Sequence, residues 1–536
     1  PMSLRQRDAQ CVSIRLADGA RLALLADRAS VLGRCRFVSA PYLKRNGQGW
    51  HPLHAAELAR LLLAPLNGPE RHGELLQQID NSLQITRTFL RHAGAANHES
   101  DSLLASEQHQ IWGHALHPTP KSREGVSLED LLACSPEVGA RFPLHWFRVE
   151  PALIQHQGED PRATLRQLVG QDDLYPCHPW EVQRVLADPL VRRAQALGQM
   201  QYLGPQGLAL YPTSSVRTLY HPELAHFLKF SVHVRLTNCV RKNAWYELDS
   251  AVALTQLLAP LMAELASLRP GFELMPEPAA STLDLSALGS LEQAREVTEC
   301  FGILYRQNLD AASRERYRPQ VAMALFTWDL DGQSVCQQLV RQSAAKLGVD
   351  HAEATLRWLH GYAEQLLGGV LHCLFRQGVV LEPHLQNSLL GFDADGLPCR
   401  VWIRDLEGTK LVPAHWPAER LAHLDERTRA SLYYDADKAW KRVAYCTLVN
   451  NLGEAIFHLA DGAAGLEQRL WAQIGGLLEE QRRLLGDPAP LRELCAGAPL
   501  PSKENFMTRL LMRADREAGY TALPNPLSAA RQELRR

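Results

Sequence analysis

No CxxC pair occurs in this sequence, and its eleven cysteines are scattered singly and odd in number. That distribution argues against a disulfide framework or a cysteine-based zinc cluster and predicts a reducing compartment. Excess charge of either sign is also missing: 57 Lys and Arg face 59 Asp and Glu, a formal net charge of −2. No global field therefore attracts nucleic acid or an anionic membrane, and any anion site has to be local. No apolar run approaches the eighteen residues that would span a bilayer, and the N-terminus, where Pro1 precedes a Met2 that reads as the natural start, lacks a signal-peptide core. The expectation is a soluble cytoplasmic protein with neither nucleic-acid nor membrane partners. Glycine-rich phosphate loops of the GxGxxG or GxxxxGK[ST] kind, internal repeats and low-complexity tracts are absent as well.

The bulk composition is that of a globular chain, 46% hydrophobic and 22% charged. At 536 residues it is too long for one core, and it implies two to four domains or a single enzyme of interlocked lobes. The stretch from Pro212 to Asn243, PTSSVRTLYHPELAHFLKFSVHVRLTNCVRKN, concentrates the chemistry. It holds the hydroxyls of Thr213, Ser214, Ser215 and Thr218, cations at Arg217 and Lys229, and a further group at Arg235, Arg241 and Lys242. Alternation over Lys229 to Val240 predicts one half-buried strand, with Phe230, Val232, Val234 and Leu236 on one face and Ser231, His233, Arg235 and Thr237 on the other. Thr213 to Thr218 has too many short polar side chains for a helix interior and reads as a loop or strand end. Arginine forks suit phosphate or carboxylate oxygens, and lysine acts as a point charge. A polar edge strand with solvated cations is the plainer reading of this segment alone.

The remaining chain reads as follows. Cys11 to Phe37 is a small β-meander, and Leu53 to Leu66 and Gly73 to His92 are amphipathic helices. Helical pattern runs on into Gln110 and breaks at Gly113 in GHALHPTPKSREG, where two prolines forbid a continuous helix. That loop offers His114, His117 and Lys121 to phosphate, or is a structural Pro-rich turn. Two histidines three apart without a third ligand make a poor zinc site. Leu144 to Ile154 is a strand and Ala163 to Val169 a helix, while His178-Pro179-Trp180-Glu181 opens the next helix, which explains His178 structurally. Ala251 to Ala266 and Leu291 to Asn308 are expected to be helices, Ala322 to Asp329 a strand, and Asp350 to Arg376 a long helix ending at Gly378. Trp440 to Asp461 and Leu466 to Leu485 are helices again.

A second loaded segment follows Gly378. Strand-like VVLE leads to Glu382, His384, Gln386 and Asn387, then to a strand LLGF, a DADG turn, a strand CRVWIRD, and Asp405 with Glu407-Gly408-Thr409. Glu382, Asn387 and Asp405 are oxygen ligands suited to a hard cation, and His, Asn and a following Asp recur where phosphoryl enzymes hold magnesium. Asp395 of the turn is a solvated acid. Asp405 closes an apolar strand end and reads as functional.

Taken in order, GHALHPTPK, HPWE, SSVRT, KFSVHVRLTNCVRKN, EPHLQN and RDLEGT resemble the aerobactin synthetase (IucA/IucC) family, siderophore synthetases that work independently of nonribosomal peptide synthetases. The resemblance covers about residue 100 to about 510. The family pattern GHPxHPxxKxRxG is kept at Gly113, His114, His117, Pro118, Lys121, Arg123 and Gly125, with Ala115 in place of the first proline. It implies an α+β, cupped-hand architecture: a helical thumb (1–130), a β-rich fingers region (131–345) and a mostly helical palm (346–536). It also implies an enzyme that uses ATP and Mg2+ to adenylate a carboxylate, usually citrate, and then condenses it with an amine or alcohol, in a family that often forms homodimers. Carried over by motif, Ser215, Arg217, Thr218 and Lys229 would grip the nucleotide phosphates, with His114, His117 and Lys121 closing over them. Arg241 would stabilise the α-phosphate and contact the acid, with Thr237, Asn238 and His384 around it. Glu382, Asn387 and Asp405 would serve the metal, and Gln386 and Asp405 the ATP. His384 is either a ligand of the acid or a general base.

Two other readings compete. The HLQN…RD segment alone is compatible with a kinase-like phosphotransferase, whose product would be ADP and which would want a glycine-rich loop. A non-enzymatic ferric-siderophore binding protein would want clustered cysteines.

Overall fold

The computed structural model describes residues 9–66, 69–93, 101–236, 239–513 and 517–527. Three layers of organisation position the site. The N-terminal meander is a five-stranded antiparallel sheet (Gln10–Arg15, Arg21–Ala29, Cys35–Phe37, Tyr42–Lys44, His51–Pro52) closed by the helix Ala55–Leu63 over a small core of Ala20, Leu22, Leu43 and Leu53. The second layer is an antiparallel sheet of eight strands. Its order is Ile154–Gly158, Ala279–Leu283, Ile303–Gln307, His226–Phe230, Thr218–Tyr220, Met200–Pro212, Phe142–Val149 and Leu174–Cys177. Trp146, Phe147, Tyr175 and Phe301 fill its core. The third is a larger helical region around His351–Gln377, packed on a four-stranded sheet of Phe272–Leu274, Pro398–Ile403, Ser388–Phe392 and Gln320–Val321.

Local chemistry explains the main boundaries. Asp350 caps the long helix by accepting from Glu353 N, and Gly378 ends it in the left-handed region at φ 63°. Within that helix Gly369 lets the backbone come close to the buried Phe272, whose ring carbon would lie 2.1 Å from any added Cβ. His178 caps Pro179–Ala187, its side chain accepting from Trp180 N, as expected from HPWE.

Several expected elements are corrected. The strand expected over Lys229 to Val240 is two strands in different sheets: His226–Phe230 belongs to the eight-stranded sheet, whereas Val232–Leu236 pairs with Cys239–Arg241 and Arg123–Glu124. The break falls at Ser231, which is buried and donates its hydroxyl to Glu299 O while accepting from Asn243 N, bonds that a ladder residue would not make. Leu291 to Asn308 is a helix only to Phe301; after Gly302 the chain becomes the strand Ile303–Gln307. Ala322 to Asp329 is not a strand but carries the short buried helix Ala322–Leu325, because its uninterrupted apolar run suits either form. The helix Trp245–Leu268 passes for a bilayer-spanning segment by length and composition, although polar residues such as Asp249, Gln256 and Glu264 interrupt its apolar run. Its Leu254, Leu258, Leu261 and Leu265 are buried in the large core, and Glu264 bonds His372 and Gln377.

Candidate active site

A cavity of ≈ 360 Å³ opens where the eight-stranded sheet, the four-stranded sheet and the 113–123 loop meet. One wall is built by strand register: Thr218 pairs with Lys229 across neighbouring strands, so hydroxyl and ammonium arrive side by side. The loop before Thr218 is folded back on itself. Ser215 Oγ donates to Thr218 Oγ1 at 2.8 Å, Arg217 N bonds Ser215 O, and Val216 sits at φ 68°, a region a β-branched residue rarely enters. Buried Val216 packs with Val232 and Val234, which holds that conformation and turns Arg217 inward.

The opposite wall is the open end of the Ser388–Phe392/Pro398–Ile403 hairpin. Ser388 pairs with Ile403, and Arg404 N bonds Asn387 O at 3.0 Å, so EPHLQN and RDLEGT converge there. Asp405 also lies at positive φ (78°), after which the short helical turn Leu406–Gly408 brings Glu407 round beside it. Non-glycine residues in this region cost of the order of 1–3 kcal/mol and persist where the surroundings over-determine them, often at functional sites.

Charges from both walls interlock. Lys229 Nζ donates to Asp405 Oδ1 at 2.5 Å and to Glu407 Oε2 at 2.7 Å. Arg306 bridges Glu277 (2.7 Å) and Asp405 (3.0 Å), and Arg217 lies 4.0 Å from Glu407 while donating to Asn243 Oδ1 at 2.5 Å. Burial pushes the Asp405 carboxyl up, but Lys229 and Arg306 overcome it and hold the group well below the usual carboxylate range; Lys229 and Arg217 do the same for Glu407. Glu277, fully buried, goes the other way because its burial outweighs Arg306 and Lys229. Glu382 pairs with Arg442 at 3.3 Å, and its carboxyl carbon would be 3.4 Å from a Cβ on Gly408, which places it against the Asp405–Glu407 turn.

His114 and His384 line the cavity as neutral rings. Burial lowers His114 to about 3, with His384, His117 and Lys503 adding to the effect, and burial likewise lowers His384. Their rings meet edge to face at 6.0 Å, and the Nδ1 atom of each is buried without a hydrogen-bond partner. His117 Nδ1 accepts from Thr119 N. Lys121 lines the cavity too, but its Nζ donates to Glu137 at 2.5 Å, a carboxylate that Arg123 also holds at 2.6 Å.

A pH dependence follows. His114 and His178 are both held near 3 in the fold against an ordinary value near 6.5, with burial the main cause. Between those limits the unfolded chain binds protons that the folded one refuses, so stability rises with pH across this window and is lost as pH falls from about 6.5 towards 3. Urea midpoints of wild type and His114→Gln between pH 4 and 7 check this: the variant should show a shallower loss, and parallel curves would refute it.

All the expected site residues line this one cavity except Thr237 and Asn238, which lie outside the described residues. Sequence reasoning did not assign Arg306, Arg404, Arg442, Glu277, Glu407 or Lys503. Arg404 and Glu407 stood inside the quoted RDLEGT and could have been found there. Arg306 was hidden by reading its strand as helix.

Residues 102–327 match the IucA / IucC family model. Over that segment the chain is similar to the family. Residues 356–518 match a second model, ferric iron reductase FhuF-like transporter. The IucA / IucC segment carries Lys229, Arg217 and Arg241, and the second segment carries His384 and Asp405, so the cavity spans both. Among curated relatives, the chain is similar to the L-2,3-diaminopropanoate–citrate ligase of Staphylococcus aureus (26% identity, 85% of this chain, 79% of the relative). It is also similar to the spermidine-citrate ligase of Bacillus anthracis (28%, 80% and 73%). In fold it is similar to ATP-bound aerobactin synthetase IucA from Klebsiella pneumoniae, with a TM-score of 0.85 at 24% identity over 98% of this chain and 97% of that one.

Proposed function

We propose that this chain is an ATP-dependent siderophore synthetase. It adenylates a carboxylate, citrate or a citrate derivative, with release of pyrophosphate, and passes the acyl group to an amine or alcohol to give an amide or ester and AMP. The observation that carries this reading is the convergence of two hydroxyl- and cation-bearing segments with two carboxylate-bearing ones in a single cavity. The named ligases join citrate to amines, which supports the substrate class. A thumb, fingers and palm (1–130, 131–345, 346–536) around that cavity is the corresponding lobe arrangement.

In this reading Ser215, Arg217, Thr218 and Lys229 hold the phosphates, and His114 and His117 cover them. Lys121 acts mainly by fixing the covering loop through Glu137. Adenylation builds negative charge on the α-phosphate as the carboxylate oxygen forms its bond and pyrophosphate leaves; Arg241, which lines the cavity, would stabilise that charge. Arg217 Nη1 donates to the backbone carbonyl of Arg241 at 3.1 Å, tying the acid-binding strand to the phosphate loop. Glu382, Asn387, Asp405 and Glu407 form a set of hard oxygen donors that fits Mg2+, which would supply charge neutralisation of the phosphates. His384, neutral and depressed by burial, is better suited to accept a hydrogen bond from the nucleophile or the acid than to take a proton near neutral pH. A kinase-like reaction has no glycine-rich loop to support it, and the cysteines of the FhuF-like segment, Cys373, Cys399, Cys446 and Cys495, are well separated in sequence.

The test is product analysis with ATP, Mg2+ and a panel of carboxylates, hydroxylamine serving as nucleophile. Citrate-dependent hydroxamate together with AMP and pyrophosphate is expected; ADP without AMP would sink the proposal. Arg241→Ala should lower pyrophosphate release by about a hundredfold, the scale of losing one donor to a developing oxyanion.

A further inference from the structure

Outside the cavity, three potential metal ligands of different elements converge: Glu181 from the first turn of Pro179–Ala187, His233 from Val232–Leu236 and Cys300 from Leu291–Phe301. Their ligand atoms all lie within 4.8 Å of one another. Glu181 is 1% exposed and Cys300 8%, while the His233 side chain reaches solvent. One Glu181 oxygen accepts from the backbone N–H of His233, and the other, Oε2, is buried with no hydrogen-bond partner, 3.8 Å from His233 Nδ1. A buried carboxylate oxygen without a donor is costly unless something satisfies it.

We propose that Glu181, His233 and Cys300 form a binding site for a borderline divalent metal ion such as Zn2+, with water in the fourth position. The mixed O, N and S set suits such an ion and not Mg2+. Tetrahedral coordination needs ligand atoms roughly 3.5 Å apart, so the three side chains close by about 1 Å. The imidazole is already in its ligand form, since burial holds His233 down to about 4, with Lys242 and Arg184 adding to the effect. Burial also pushes the Cys300 thiol up to about 11 and Glu181 up to about 7, so binding releases the thiol proton and any proton on the carboxylate. An open pocket of ≈ 490 Å³ lined by Arg184, Glu296 and Cys300 gives the ion a way in, and the nearby positive charge of Arg184 would support the thiolate. The ion would pin Val232–Leu236, whose Val232 pairs with Arg241 in the neighbouring strand.

The experiment is Co2+ titration of chelator-treated full-length protein, with excess Mg2+ present to occupy oxygen-only sites. One equivalent should bind with a thiolate-to-cobalt charge-transfer band that Cys300→Ala abolishes and Cys399→Ala leaves. His233→Ala, at a partly exposed position, should weaken Co2+ by more than about tenfold, the lower end of what losing even a supporting group costs. Absence of the band in wild type, or its survival in Cys300→Ala, overturns the proposal and leaves Glu181 as a lock on the His233 backbone. If Cys300→Ala does not fold, unchanged Co2+ affinity in His233→Ala overturns it equally.

Discussion

Lys229→Met lowers the rate of pyrophosphate release by about a thousandfold, the upper part of the range for removing one preorganised charge partner of a developing oxyanion. The size of the effect follows from two losses at one position. Lys229 is set beside the pocket's hydroxyls by its pairing with Thr218, and it is bonded to both Asp405 and Glu407. Without it, Asp405 keeps Arg306 at 3.0 Å, but Glu407 is left with only the more distant Arg217 at 4.0 Å, so Glu407 in particular presents less compensated charge to an incoming polyphosphate. ATP binding should weaken together with the rate. Steady-state pyrophosphate release and ATP titration, with circular dichroism to establish folding, check this; a rate within tenfold of wild type would remove Lys229 from the phosphate site.

Arg404→Met destabilises the protein by about 3–5 kcal/mol, the cost of stranding a buried charge by removing its partner. Its partner is Glu107, 0% exposed, which also accepts from Ser214 N at 3.0 Å. Arg404 in turn donates to the carbonyl of Gln386 at 2.8 and 3.0 Å. This one pair therefore ties the helix Ser102–Gln108, the hydroxyl loop and the carboxylate loop together. Guanidinium unfolding followed by fluorescence measures the loss, and the double variant Arg404→Met/Glu107→Gln should recover part of it. An unfolding midpoint unchanged in the single variant would show that the pair contributes nothing.

Thr218, Lys229, His384 and Asp405 were legible because polar residues interrupt otherwise apolar strand ends, a local signal. Arg306 was not, because its identity as a cavity residue depends on a helix stopping at Gly302, which nothing in the residue periodicity demands. Glu107 was equally invisible: a lone acid in an amphipathic helix becomes informative only when a residue 297 positions away supplies its partner. Ser231 hid a change of sheet inside a continuous alternation, since each half of the pattern is correct and only the long-range pairing differs. The N-terminal sheet, the long helix ending at Gly378 and the HPWE cap followed from short-range rules and needed no tertiary information.

The interlocked charges of the cavity have a consequence for how ligand is taken up. Asp405, Glu407 and Glu277 already engage Lys229, Arg217 and Arg306, so these three cations are held by the protein's own carboxylates before any ligand arrives. A polyphosphate arriving there exchanges places with the protein's own carboxylates, and those carboxylates are turned towards whatever cation accompanies it. Uptake of this kind is a swap of partners: the ligand has to displace carboxylates that already hold Lys229, Arg217 and Arg306, and part of its attraction to those cations is spent on that displacement.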